Sequence, residues 1–156
     1  SDVYKRQVLG ITEAQESSMG GTSGALYAIY LTGLVQGLLK STQNNDEVAT
    51  VKHWASAANH AFQSLGKYTP ARPGDRTLVD ALEPFCRTLA SEAESGKSAK
   101  EALKAAVDAS KEGAEKTRDM TARLGRATYV GETSEKVPDP GAWGIWALVE
   151  GIYKVL

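Results

Sequence analysis

With 156 residues the chain has the length of one domain built on one core, with no room for a second full domain. Its 18 Lys and Arg against 19 Asp and Glu leave a formal net charge of −1, which excludes the basic surface expected of a nonspecific nucleic-acid or anionic-membrane binder. A single cysteine, Cys86, excludes an intramolecular disulfide framework and fits a reducing compartment, with the cytoplasm as the expected location.

Residues 1–7, Ser-Asp-Val-Tyr-Lys-Arg-Gln, do not continue the pattern that follows and read like translated adapter sequence, so native sequence is expected from Val8, with the true beginning upstream. Strand signals are scarce and helical spacing is common from there on, which predicts an all-α domain over 8–156, an antiparallel bundle of amphipathic helices. A short first helix is expected from Val8 to Ser17. The second, from Ser23 to Lys40, places Leu26, Ile29, Tyr30, Gly33, Leu34, Gly37 and Leu38 on one face, and its two glycines predict close helix approach. Its apolar run, Ala25 to Leu39, is interrupted by Thr32, Gly33, Gln36 and Gly37 and is too short and too polar to span a bilayer.

After the polar stretch Ser41 to Asn45, Asn45 or Asp46 is expected to cap a third helix running to Tyr68. Thr69-Pro70-Ala71-Arg72-Pro73-Gly74-Asp75 must be a shaped loop, because each proline disfavours helix at the residue before it. A fourth helix is expected from Arg76 to Ala93, kinked at Pro84, with Asp75 as a candidate cap. A fifth reaches Arg123 with Ala102, Ala106, Ala109 and Gly113 as a small-residue packing stripe, and a last runs from Ala142 to Val155. Between them lies a loop, Gly125 to Gly141, that carries Arg126 and Val137-Pro138-Asp139-Pro140-Gly141.

Chemistry concentrates in the breaks. Met19-Gly20-Gly21-Thr22-Ser23-Gly24 puts three glycines and two hydroxyls ahead of an apolar helix, where unpaired N–H groups and the helix dipole suit an anion such as phosphate. Alternate connections of an antiparallel bundle lie at the same end. The breaks at Met19–Ser23, Thr69–Thr77 and Gly125–Gly141 satisfy that spacing, and would bring together a helix start, the hydroxyls of Thr22, Ser23 and Thr77, and the guanidinium of Arg126. His53 and His60 are seven apart, too far for an i, i+4 metal pair, and read as surface or packing residues. Cys86 beside Phe85 reads as a buried thiol, and Trp143 with Trp146 as core.

The blocks MGGTSGALY (Met19 to Tyr27), YTPARPGDRTLVDALEPF (Tyr68 to Phe85), GRATY (Gly125 to Tyr129) and DPGA (Asp139 to Ala142) together resemble the C-terminal nucleotide-binding domain, of the kinase L type, of dihydroxyacetone (glycerone) kinases. The similarity runs in order from about residue 11 to the end. It implies a barrel of eight antiparallel helices, about six of them present in this N-terminally truncated chain, with ATP and two Mg²⁺ ions held at one end. It also implies phosphoryl transfer to dihydroxyacetone or glyceraldehyde carried by a separate substrate domain, and leaves homodimerisation open.

Residue by residue, the resemblance assigns Thr22 and Ser23 to the hydroxyl pair near the phosphates. Thr69 falls where relatives often carry glycine beside the nucleotide. Thr77 and Leu78 match a Thr-Met pair, Arg126 the arginine of the GRA block, and Asp139, Pro140 and Gly141 the loop that closes over the nucleotide. The family's Mg²⁺-binding aspartates lie in a loop upstream of the glycine segment, and the aspartates present here are scattered, so the chain by itself is expected to be inactive and to hold no metal. Two other readings compete: a phosphotransfer-dependent subunit that keeps ADP as a cofactor, and a noncatalytic helical binding module.

Overall fold

A computed structural model of the chain describes residues 3, 6–11, 21–41, 49–124, 126–129 and 136–155, without the side chains of 21–23, 41, 126 and 127. Among these residues every regular element is helical, as the apolar spacing predicts. Residues 6–11 form a short helical stretch. The longer helices are α1 (Gly21–Ser41), α2 (Val51–Leu65), α3 (Val79–Glu94), α4 (Ala99–Lys116) and α5 (Pro140–Val155), with 3-10 turns at Thr117–Asp119 and Arg126–Tyr129. No helix among the described residues is long and apolar enough to cross a membrane. The chain divides into two compact units, Ser1–Pro70 with Ala93–Ala99, and Ala71–Glu92 with Lys100–Leu156.

In the first unit α1 and α2 pack through small residues. A Cβ on Gly33 would lie 3.0 Å from the Cα of Ala61, and one on Gly37 only 2.6 Å from the Cα of Ala57. The contacts descend α2 as they climb α1, so the two helices are antiparallel, and the sequence's two glycines mark the close approach. Val8, Leu31 and Val35 form a buried cluster beside Leu34 and Trp54.

Helix α2 starts later than the sequence suggests. Its N-cap is Thr50, whose hydroxyl accepts the His53 N–H at 3.4 Å while His53 Nδ1 accepts the Thr50 N–H at 3.1 Å. This reciprocal cap satisfies two donors at once and sets the boundary at Val51. Asn45 and Asp46, the expected caps, lie outside the described residues.

In the second unit Pro84 and Gly113 make complementary departures from helix norms. Pro84 lies inside α3 and has no N–H to donate to the carbonyl of Asp80 four residues earlier. That carbonyl faces Gly113 of α4, where a Cβ would overlap it and would also stand 2.9 Å from Pro84 Cγ. Removal of the side chain from position 113 is therefore what lets α4 lie against the proline turn of α3. Of the predicted small-residue stripe on α4, Ala102 and Ala106 are fully buried and Ala109 and Gly113 half-buried, and Ala114, outside that stripe, is fully buried as well.

Helix α4 ends at Lys116, short of the expected Arg123, and passes into the turn Thr117–Asp119. Thr117 explains the stop. Its hydroxyl donates back to Ala114 O at 2.5 Å, and its carbonyl accepts the Met120 N–H of a 3-10 turn at 3.2 Å. Further on, the Arg123 N–H is drawn away to Asp75 O at 3.4 Å.

Gly113→Ala is expected to lower stability by about 1–3 kcal/mol through overpacking against α3 backbone. Gly151→Ala, where a Cβ meets nothing within 4 Å, should instead raise it by up to about 1 kcal/mol through helix propensity. Thermal melts of the two variants measure both; equal shifts would contradict the packing account.

Candidate functional site

The loop before α3 is organised by one buried carboxylate. Asp80 is 6% exposed, and its two oxygens accept the Gly74 N–H at 2.6 Å and the Thr77 N–H at 2.9 Å. Thr77 Oγ1 in turn accepts the Val79 N–H at 3.2 Å, so Thr77 and Asp80 close a capping box on the first turn of α3. The hydroxyl of Thr77 keeps its own hydrogen to donate. The chain reaches this arrangement through two left-handed residues, Gly74 at φ 98° and Arg76 at φ 60°. Asp75 is not the cap. Its carboxylate accepts the Arg72 N–H at 2.9 Å and stands 3.8 Å from the Arg123 guanidinium, which folds the loop upon itself.

A second loop is fastened to the first through Thr117. The Arg76 guanidinium spans both, donating from Nε to Thr117 O at 3.1 Å and from Nη2 to Val137 O at 2.8 Å. Thr117 Oγ1 accepts the Asp139 N–H at 2.7 Å. Asp139 then caps α5: its Oδ2 accepts the Ala142 N–H at 2.9 Å and its carbonyl accepts the Trp143 N–H at 2.9 Å. Pro140 fits the first helical position because its missing N–H would have no partner there. Burial pushes the Asp139 carboxyl above its ordinary value, against the opposing pull of the Ala142 and Gly141 N–H groups and the Arg76 charge.

Of the expected site residues of this unit, Leu78, Asp139 and Gly141 come together. A Cβ on Gly141 would stand 3.1 Å from Asp139 Oδ2, 3.5 Å from Leu78 Cβ and 3.6 Å from Leu78 N, so the DPG segment lies directly on the Thr77–Leu78 turn. Leu78 is itself buried. Arg126 opens the turn Arg126–Tyr129, and its side chain lies outside the described residues. Thr69 is half-buried in the first unit. Thr22 and Ser23 lie in the first turn of α1, with side chains outside the described residues, as are Met19 and Gly20 altogether.

Other candidates resolve into structural roles. His53 caps α2, and Cys86 is buried. Trp143 and Trp146 pack edge to face at 4.6 Å, with Lys111 Nζ 5.1 Å from the Trp146 ring centre. Among the described residues no group of three or more His, Cys, Asp or Glu could hold a metal ion, so those residues do not fit a Mg²⁺ site. A cavity of about 310 Å³ lies along Pro73, Gly74, α3 and α4. Its rim charges pair with one another, Arg87 with Glu83 at 3.0 Å and Lys116 with Glu112 at 2.7 Å.

Sequence reasoning missed Arg76 and Thr117. The Thr-x-x-Asp spacing of Thr77 and Asp80 is a visible capping signal. Thr117 carries none, because Lys-Thr-Arg-Asp reads as the continuation of a solvated helix.

The sequence of the chain matches the DAK2 domain family over residues 5–154, and the chain belongs to that family. It is 47% identical over 143 residues to dihydroxyacetone kinase 2 of Saccharomyces cerevisiae, covering 87% of this chain and 22% of that protein. It is 41% identical to the dihydroxyacetone kinase of Komagataella pastoris, with 94% and 24% covered. The crystal structure of the dihydroxyacetone kinase of C. freundii in its native form superposes with a TM-score of 0.64 at 27% identity, covering 94% of this chain and 23% of that one. The helical fold is thus shared, and the chain spans about a quarter of the length of these relatives.

Asp139→Asn tests the electrostatics of the second loop. A carboxyl whose folded value is raised adds stability that is complete below the ordinary aspartate range and is lost as pH rises through the folded value. Asparagine keeps an oxygen for the Ala142 N–H and carries no charge, so the melting temperature of the variant relative to wild type should rise from about pH 3 to about pH 7. A difference that is flat or falls with pH would contradict the burial account.

Proposed function

We propose that the chain is the nucleotide-binding domain, of the kinase L type, of an ATP-dependent dihydroxyacetone kinase, with its substrate domain and metal-binding aspartates in sequence upstream of it. The observation that carries this reading is the meeting of Leu78, beside Thr77, with Gly141 of the DPG segment, two ordered blocks of the resemblance brought into contact by the fold. The similarity to long fungal dihydroxyacetone kinases, each matched over about a quarter of its length, supports a domain of a single-chain enzyme over a separate phosphotransfer-dependent subunit holding ADP.

The two acid-lined helix starts of the second unit, at α3 and α5, suit a nucleotide's neutral and edge contacts rather than its phosphates. Both helix starts there already hold side-chain acceptors: Asp80 takes the Thr77 N–H and Thr77 the Val79 N–H at α3, and Asp139 the Ala142 N–H at α5. Helix α1 begins at Gly21 with no acidic residue in its first turn, and the resemblance assigns the phosphates to Thr22 and Ser23 there. In this reading Thr77 donates its hydroxyl hydrogen to the nucleotide, Thr69 supplies contact surface, the buried Leu78 backs the turn that carries Thr77, and Asp139, Pro140 and Gly141 close over it. Arg126 stabilises charge on the phosphates. Mg²⁺, when held by the upstream aspartates, supplies charge neutralisation for the transfer to dihydroxyacetone or glyceraldehyde.

Arg126→Ala in the full-length parent enzyme is expected to weaken Mg-ATP binding by at least about tenfold, roughly 1.4 kcal/mol, measured by calorimetry. Unchanged affinity would remove Arg126 from the site. A parent enzyme that phosphorylates dihydroxyacetone only with a phosphotransfer protein, and not with ATP, would replace this reading by the ADP-cofactor one.

A further inference from the structure

Arg76 is an arginine in a conformation that favours glycine or asparagine, at φ 60°. A non-glycine residue held in that region costs on the order of 1 kcal/mol and persists only where its surroundings fix it. The side chain supplies a reason. Its fork reaches Thr117 O with Nε and Val137 O with Nη2, 41 and 61 residues away in sequence. The left-handed turn is what carries the guanidinium out of the 71–78 loop toward the segment before α5. The loop itself cannot relax, because the amides on either side of Arg76, at Gly74 and Thr77, are both held by Asp80.

Among the described residues, the recipient segment is also tied at the surface by Lys136, whose Nζ donates to Asp119 Oδ1 at 3.3 Å. Val137 is exposed, and Lys136 O is held by the Arg118 guanidinium at 2.9 Å from an exposed position. Asp139 N–H is held by Thr117 Oγ1, the side chain of the residue whose carbonyl Arg76 grips. Arg76 therefore fastens the segment just upstream of Asp139 and, through Thr117, the anchor of Asp139 itself. The Arg76 charge also favours the ionised Asp139 carboxylate, the acceptor for Ala142 N–H.

We propose that Arg76 is a positioning residue that latches the 136–141 loop to the Thr77–Leu78 turn, and so presets the part of the site that closes over the nucleotide. The latch deepens the nucleotide reading above and rests on it for its consequence in function. No ligand contact is assigned to Arg76, whose Nε and Nη2 each donate to a backbone carbonyl. Lysine cannot replace it, because a single ammonium lacks the planar fork that reaches two carbonyls at once.

Two measurements test the latch, and they separate its failure from that of the nucleotide reading. The first is amide hydrogen exchange on the ligand-free chain carrying Arg76→Gly, which removes the fork and also removes the backbone strain. Exchange at Asp139 and Ala142 is expected to accelerate by about tenfold or more, while Ala106 and Val107 in α4 keep wild-type rates. Arg76→Lys should fall between. Arg118→Ala, which frees only Lys136 O, should move the Asp139 and Ala142 amides less than Arg76→Gly does. Unchanged exchange at these two amides, an equal acceleration throughout α4, or an Arg118→Ala effect as large as that of Arg76→Gly would each overturn the latch.

The second measurement is steady-state kinetics of the full-length parent enzyme with Mg-ATP. Arg76→Gly should raise the KM for ATP by about tenfold with kcat within about twofold of wild type, the signature of lost ground-state positioning. A fall in kcat at unchanged KM would overturn the role in nucleotide closure. If the wild-type enzyme does not use ATP at all, the nucleotide reading fails, and accelerated exchange at Asp139 and Ala142 still establishes the latch.

Discussion

The structure of the second unit depends on a buried carboxylate with two backbone donors. Asp80 holds the N–H groups of Gly74 and Thr77, and so fixes a loop that contains two left-handed residues and a single backbone turn, from Asp75 N–H to Arg72 O. A hydrogen bond to a charged group contributes about 1.5–3 kcal/mol, and loss of the acceptor would leave two donors to be solvated or orphaned. Everything downstream follows from that constraint. Thr77 is placed to cap α3, Leu78 is turned into the core, and Arg76 is directed at Thr117. Thr117, fully buried, passes the constraint to Asp139, and Asp139 sets where α5 begins.

This chain of contacts divides the chemistry of the domain. Helix starts are natural anion sites only while their donors are open. Those of α3 and α5 are occupied by Asp80, Thr77 and Asp139, and the two carboxylates make them poor phosphate cradles. Their occupation places carboxylates beside the segments that the family resemblance assigns to the nucleotide, an arrangement that would repel phosphates and tolerate a nucleoside. The first described turn of α1, to which the family resemblance assigns the phosphates, carries no acidic residue. The same logic explains the exclusion of side chains at key points. Gly141 leaves room between Asp139 and Leu78, and Gly113 leaves room for the carbonyl that Pro84 cannot satisfy.

Much of this was legible in the sequence. The all-α class followed from apolar spacing, the close approach of α1 and α2 from Gly33 and Gly37, and the burial of Cys86 from its position beside Phe85. The contact of Leu78 with the DPG loop accords with the ordered blocks of the resemblance. What escaped had a physical cause in each case. The end of α4 at Lys116 is dictated by Thr117, whose hydroxyl and carbonyl are recruited by partners 22 and 41 residues away, and no local propensity announces that. The start of α2 fell to Thr50 because His53 acts as the reciprocal cap, a role usually looked for in Glu or Gln. Asp75 looked like a cap by position, yet Asp80, three residues beyond Thr77, had the better geometry.

The central claim is that Asp80, Thr117 and Asp139 act as one connected network and not as separate local caps. A double-mutant cycle on unfolding free energy with Asp80→Asn and Thr117→Val tests it most directly. A connected network predicts a coupling energy of at least about 0.5 kcal/mol between these two sites, which share no direct hydrogen bond. Effects that add to within about 0.3 kcal/mol would contradict it and leave two independent loops that merely lie side by side.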